Sequence, residues 1–241
     1  MIALAFGALA LISVHDGHAQ GKNVNMLGGW QTESEGDQVT LICSEEFFSV
    51  AIYNVAQKRF VGTLGGSYRI EGDAFVGKYE FHTLNPDLVG QQLRSPILDQ
   101  QIGTLTLQHE GQRYVFRRLD DGGPGKLAGA WLITGRMVDG GMSKLTPGAR
   151  RTMKILSGTR FQWIAYNVET REFSGTGGGT YTTKDGKYTE HIEFFSRDSS
   201  RVGASLSFDF SLENGNWRHK GLSSKGAPID EIWTKREKIK L

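Results

Sequence analysis

Apolar and polar residues alternate along most of this chain, in short runs separated by Gly, Asn, Asp and Ser. Phe48, Val50 and Ile52 fall on one face of an extended segment. Their counterparts Phe161, Trp163 and Ala165 do the same in the second half. Phe75, Tyr79 and Phe81 are matched by Tyr188, Ile192 and Phe194. A period of two with one apolar face predicts half-buried antiparallel strands. Eight such runs are readable in the second half, from AWLITGRM to PIDEIWTKRE, and no stretch carries a convincing helical period. Turn residues such as Lys-Asp-Gly and Glu-Asn-Gly join them.

The two halves are copies. YNVAQKRFVGTLGGSY begins at Tyr53 and YNVETREFSGTGGGTY at Tyr166, a constant offset of 113 residues with nine of 16 positions identical. Tyr53/Tyr166, Phe60/Phe173, Gly65/Gly178, Gly66/Gly179 and, further on, Glu80/Glu193 all hold the register. A repeat of this length predicts two units of one architecture. Eight antiparallel strands in about 100 residues close on themselves and so remove their exposed edges. The expected fold is therefore all-β, with two tandem eight-stranded antiparallel up-and-down barrels. A two-sheet sandwich is the alternative. The expected boundaries are a barrel at 27–120, a turn-rich linker at 121–127 and a second barrel at 128–241. Each is expected to fold as its own unit. Gly177 to Gly179 are not a phosphate loop, because no Gly-Lys-Ser/Thr ending follows. In a strand, such glycines mark a bulge or a bend.

Each unit opens with Gly-x-Trp, ending at Trp30 and Trp131. Each closes on a strand with an aromatic residue and a basic residue two places on, Phe116 with Arg118 and Trp233 with Lys235. In this the chain resembles the lipocalins and the wider calycin superfamily. It also resembles secreted bacterial proteins described as lipocalin-like, which share the GGGTY…YTEHIEF type of core. The resemblance spans nearly all of the second repeat and, more faintly, the first. It implies that Trp30 and Trp131 are structural plugs closing one end of each barrel, with Arg118 and Lys235 packed across the indoles. Lys235 departs from the commoner Arg, and the helix that typical lipocalins carry between their last strands has no counterpart here.

Charge and chemistry add less. The net charge is +2, but the first unit is acidic (−4 over 27–120) and the second basic (+6 over 128–241). That imbalance points to mutual attraction between the units, or to an anionic partner for the second. No recognition helix or paired-aromatic RNA motif is present, so nucleic acid is not expected as a partner. No apolar run reaches the roughly 20 residues of a transmembrane helix. The opening segment 1–19 reads as a signal peptide cleaved after Ala19, which places the chain in the periplasm or outside the cell. Cys43 is the only cysteine, so no internal disulfide forms.

No histidine sits in a nucleophile motif and no His- or Cys-rich cluster is visible. Catalytic residues, metal ligands and cofactors are therefore not expected, and the chain is not read as an enzyme. The candidate ligand-binding residues are Trp163, Tyr181 and Phe208, as aromatic lining, and His191 with Glu193, which alternate on one strand and share a face. An insertion at Asp139–Gly148 is placed to lie over a barrel mouth. The expected function is binding of a small, partly apolar ligand, an anionic one being favoured by the basic second unit. Barrels filled by side chains would instead make a protein- or glycan-interaction module. A lipocalin-fold enzyme is the third reading. The oligomeric state is left open.

Overall fold

A computed structural model of the chain describes residues 24–123 and 125–241, so the expected signal segment 1–19 lies outside the described residues. The first eight strands are β1 Gly28–Ser34, β2 Asp37–Cys43, β3 Phe47–Asn54, β4 Arg59–Glu71, β5 Ala74–His82, β6 Gln92–Gln100, β7 Thr104–His109 and β8 Gln112–Asp120. Each pairs antiparallel with the next, and β8 returns to β1, closing a barrel. The second half contributes β9 Gly129–Val138, β10 Gly141–Lys144, β11 Arg150–Leu156, β12 Arg160–Asn167, β13 Phe173–Lys184, β14 Lys187–Phe195, β15 Ser205–Glu213, β16 Asn216–Leu222 and β17 Pro228–Lys235. Here β17 pairs with β9 and closes a second eight-stranded barrel, with β10 attached outside the cycle. The eight-stranded antiparallel up-and-down barrel is therefore present twice.

Local chemistry sets the turns. Glu35-Gly36, Glu110-Gly111, Asp139-Gly140, Asp185-Gly186 and Asn214-Gly215 each hold two successive positive φ angles. That is the backbone of the two-residue hairpin whose twist matches the flanking strands. The insertion is one of these hairpins rather than a plain loop. β9 runs on to Val138 and β10 folds back along it, pairing Lys144 with Gly135. Leu145 then reaches the core of the second barrel.

The duplicated glycine pairs create a bulge in each barrel. The register between β4 and β5 slips between Gly65 and Gly66, and that between β13 and β14 between Gly178 and Gly179. A Cβ on Gly66 would lie 2.0 Å from the Lys78 carbonyl oxygen, and one on Gly179 2.1 Å from that of His191. No side chain fits there. The slip leaves Glu80 and Glu193 without a partner across the ladder. Phe75 and Tyr79 therefore stay inside the first barrel, while Phe81 turns outward. Likewise Tyr188 and Ile192 stay inside the second while Phe194 turns outward. A single face for all three residues of each set, as the alternation predicts, is broken by this bulge.

What turns outward meets the other barrel. Tyr53 donates to Glu193 at 2.7 Å, and its copy Tyr166 donates to Glu80, the copy of Glu193, at 2.5 Å. The ring of Tyr53 packs on Phe194 at 4.6 Å and that of Tyr166 on Phe81 at 5.0 Å. Phe60 stacks on its own copy Phe173 at 6.3 Å. Reciprocal contacts of this kind define a twofold relation between the barrels. An apolar seam of Ile42, Phe47 and Phe81 against Leu132, Met153, Ile155 and Ile164 lies beside them. Each barrel thus closes its own ladder, yet the two bury a shared face.

Candidate functional site

The two barrels place different side chains at equivalent register positions inside. Trp30 faces Leu41 across β1 and β2, while Trp131 faces Lys154 across β9 and β11. Gly77 faces Leu93, while Glu190 faces Leu206. Leu107 faces Tyr114, while His219 faces Glu231. Where the first barrel carries two leucines, a glycine and a tyrosine, the second thus carries Lys154, Glu190, His219 and Glu231. All four side chains are buried: Lys154 is 5% exposed, Glu190 3%, His219 2% and Glu231 7%.

They form two linked pairs. Lys154 Nζ donates to Glu190 Oε1 at 2.8 Å, and the Tyr188 hydroxyl donates to the same oxygen at 2.9 Å. The ammonium also lies 4.9 Å from the Tyr188 ring, 5.0 Å from Trp217, 5.5 Å from Trp233 and 5.7 Å from Phe208. Ring faces replace some of the water it has lost. In the second pair, Glu231 Oε2 faces His219 Nδ1 at 3.4 Å and accepts from Trp233 Nε1 at 3.2 Å, while Arg136 donates to Oε1 at 3.1 Å. Burial, with the nearby Lys154 charge, lowers the His219 pKa to about 4, so the imidazole is neutral at pH 7. Burial alone would raise Glu231. The His219 contact and the charges of Lys154 and Arg136 outweigh it and hold that carboxyl below its ordinary value.

The mouth above this cluster is apolar and half-buried. Trp163 on β12 packs edge-on against Phe195 at 5.5 Å, and Leu145, Leu206 and Ile229 pack against the same core. Large side chains fill the centre. The best-formed cavity among the described residues, about 250 Å³, lies instead between the barrels. Equivalent residues from both line it, Gly28 with Gly129, Cys43 with Leu156 and Ser44 with Ser157, and Glu45, Glu46 and Lys235 also border it. It is smaller than the roughly 300 Å³ at which drug-sized ligand pockets begin.

The residues singled out from the sequence divide between these places. Phe208 lies within the cluster, its ring 4.2 Å from that of His219. Tyr181 is inside the second barrel and donates to the Ser157 carbonyl, as its copy Tyr68 does to Ser44. Trp163 stands at the mouth. His191 and Glu193 lie outside the barrel and do not join the other three. Residues 188, 190 and 192 of β14 point inward, so 191 and 193 point out. His191 is exposed beside Ser205 at 2.8 Å. Glu193 is held at the interface by Arg160 and Tyr53. At the barrel ends, Trp30 and Trp131 donate to the carbonyls of Met26 and Leu127, both at 2.8 Å. Arg118 lies 4.0 Å above the first indole and Lys235 4.5 Å above the second.

Lys154, Tyr188, Glu190, Trp217, His219 and Glu231 were not among the ligand candidates read from the sequence. Part of the signal was there in the repeat itself: Leu41 becomes Lys154 and Gly77 becomes Glu190. His219 matches Leu107 only in the strand register, one residue off that offset. Among the described residues, no group of three or more His, Cys, Asp or Glu side chains is placed to hold a metal ion, and no helix is long and apolar enough to cross a membrane.

No family model matches the sequence, and no curated protein is significantly similar to it. Among solved structures, the chain is similar to a lipocalin-like protein from Bacteroides uniformis, at 17% identity and a TM-score of 0.33. The match covers 46% of this chain and 99% of that protein.

Proposed function

We propose that this protein binds a small, partly apolar molecule through the mouth of its second barrel, and that it does so outside the cytoplasm, as the signal-like segment 1–19 implies. One observation carries the reading: the Lys154–Glu190 and His219–Glu231 pairs, buried beneath an apolar mouth where the first barrel has Leu41, Gly77, Leu107 and Tyr114 and no charge. Burying these groups costs more than burying the leucines, glycine and tyrosine they replace. Buried ionisable groups present in only one half of a duplicated fold support a functional reading of that half. The half-buried rim of Trp163 and Phe195 suits the apolar part of a ligand, and the aromatic floor suits its ring or chain. The packed centre favours a second reading, an interaction module whose barrels only present surfaces.

Dye uptake separates the two. The neutral dye N-phenyl-1-naphthylamine should bind the full chain saturably, with about one site per chain. Trp163→Arg, at the second mouth, should abolish uptake, and the equivalent Val50→Arg in the first barrel should leave it. Loss with Val50→Arg alone would move the site to the first barrel. No saturable uptake by the parent chain would hand the case to the interaction module.

A further inference from the structure

We infer that the polar group recognised inside the second barrel is a neutral hydroxyl or amide, rather than a carboxylate or an ammonium. The inference rests on the proposed binding function and supplies its ligand class. It follows from which polar atoms at the centre already have partners.

The charges there are matched. Lys154 is paired with Glu190, and Glu231 is held by Arg136 and Trp233 and faces His219. No charge is left over to receive a ligand of opposite sign, and an added ion would have to be buried without compensation. Two atoms at this centre have no partner and are fully buried, Trp217 Nε1 and His219 Nε2. They belong to residues two apart on β16 that share its inward face, with ring centroids 5.3 Å apart.

The two atoms are chemically opposite. An indole N–H only donates. His219 turns Nδ1 to the Glu231 carboxylate, which only accepts, so the imidazole proton sits on Nδ1 and Nε2 offers a lone pair. The shift of His219 to about 4 agrees with this neutral form. A neighbouring donor and acceptor together suit a group that both accepts and donates, such as an alcohol or an amide. A carboxylate would satisfy Trp217 but set its charge against the His219 lone pair and two glutamates. An ammonium would suit His219 and meet the Trp217 N–H and Lys154. The equivalent positions of the first barrel are Leu105 and Leu107, which offer neither.

The test displaces the bound dye from the full chain at pH 7 with three ten-carbon probes, 1-decanol, decanoate and decylammonium. Decanol should compete at a concentration at least tenfold lower than either ion. Trp217→Phe should weaken decanol about fivefold more than it weakens the dye, the scale of one net hydrogen bond. His219→Leu, which installs the first-barrel residue, should act in the same direction and guards against a Trp217→Phe chain that fails to fold. Decanoate or decylammonium competing as well as decanol would overturn the inference while dye uptake keeps the binding reading intact. Equal weakening of dye and decanol by both variants would overturn it too. Absence of dye uptake in the parent chain would overturn the binding reading and this inference together.

Discussion

At the four matched positions where the first barrel carries Leu41, Gly77, Leu107 and Tyr114, the second carries Lys154, Glu190, His219 and Glu231. The scaffold around them is the same. Both barrels keep the tryptophan plug with its cation, the tyrosine bonded to a serine carbonyl, and the glycine bulge. The comparison separates two kinds of residue. What is present twice builds the barrel or joins it to its neighbour. What is present once, in the interior, is not needed to build a barrel, because the other copy does without it.

The surfaces that meet also differ. Glu80 of the first barrel draws Arg151 and Arg236, both from the second, at 2.8 and 2.6 Å. Glu193 draws Arg160 from its own barrel. The second barrel therefore supplies cations to both glutamates, while the first offers Gln38 and Phe47 where the second has Arg151 and Arg160. Two first barrels facing each other would bury unpaired glutamates. Two second barrels would crowd arginines. Only the mixed pair balances.

Substitutions at the interface and in the second interior sharpen this comparison, taken from the largest expected effect to the smallest. Glu80→Lys should cost about 5 kcal/mol, the upper end for breaking a buried ion pair, because it sets a third cation against Arg151 and Arg236. Glu193→Lys, opposed by Arg160 in a more exposed site, should cost less. Urea melts that rank the two the other way would break the claim that the interface is charge-coded. Lys154→Met should cost roughly 3 to 5 kcal/mol by leaving Glu190 buried and unpaired. The double variant Lys154→Met/Glu190→Leu, apolar like the first barrel, should recover most of that loss. A double variant as unstable as the single would show that the pair itself holds the second barrel together.

The smallest effect is one of pH. His219 has a folded pKa of about 4 against an ordinary 6.5, so between those values the unfolded chain binds more protons than the folded one. Stability contributed by the neutral imidazole is complete above about pH 6.5 and is lost as pH falls towards 4. The full loss is on the order of 3 kcal/mol. His82, also lowered, acts in the same direction in the first barrel. Subtraction isolates His219: the fall in melting temperature from pH 7 to 4.5 should be clearly smaller in His219→Gln than in the parent. Identical slopes would mean that His219 is already charged in the folded chain.

The strands and the duplication were legible in the sequence because a period of two and an offset of 113 are local patterns of residue type. The glycine bulge was legible as a bend. Its effect was not, because turning Phe81 and Phe194 out of their barrels depends on which ladder residue is skipped, and that is set by the register between two strands. Glu193 was misplaced for a related reason. Its duplication in Glu80 reads equally well as a repeated site or a repeated contact until the other barrel is seen to receive it. The polar centre was missed because its four ionisable residues come from four different strands, and alternation along one strand does not show that Lys154 and Glu190 meet across the interior.

At the seam, Gln162 donates at once to Thr63 of the first barrel and Thr176 of its own, at 2.8 and 3.0 Å, while its copy is the buried Ser49. In a pair of separate identical chains every change of residue is made on both sides together. A side chain long enough to bridge the centre would then compete with itself for the same space. Joining the copies in one polypeptide lifts that restriction. One half keeps the short residue and makes room, and the other takes the long one and spans the gap. The same freedom applies to the interiors, where one unit can remain a plain scaffold while the other specialises.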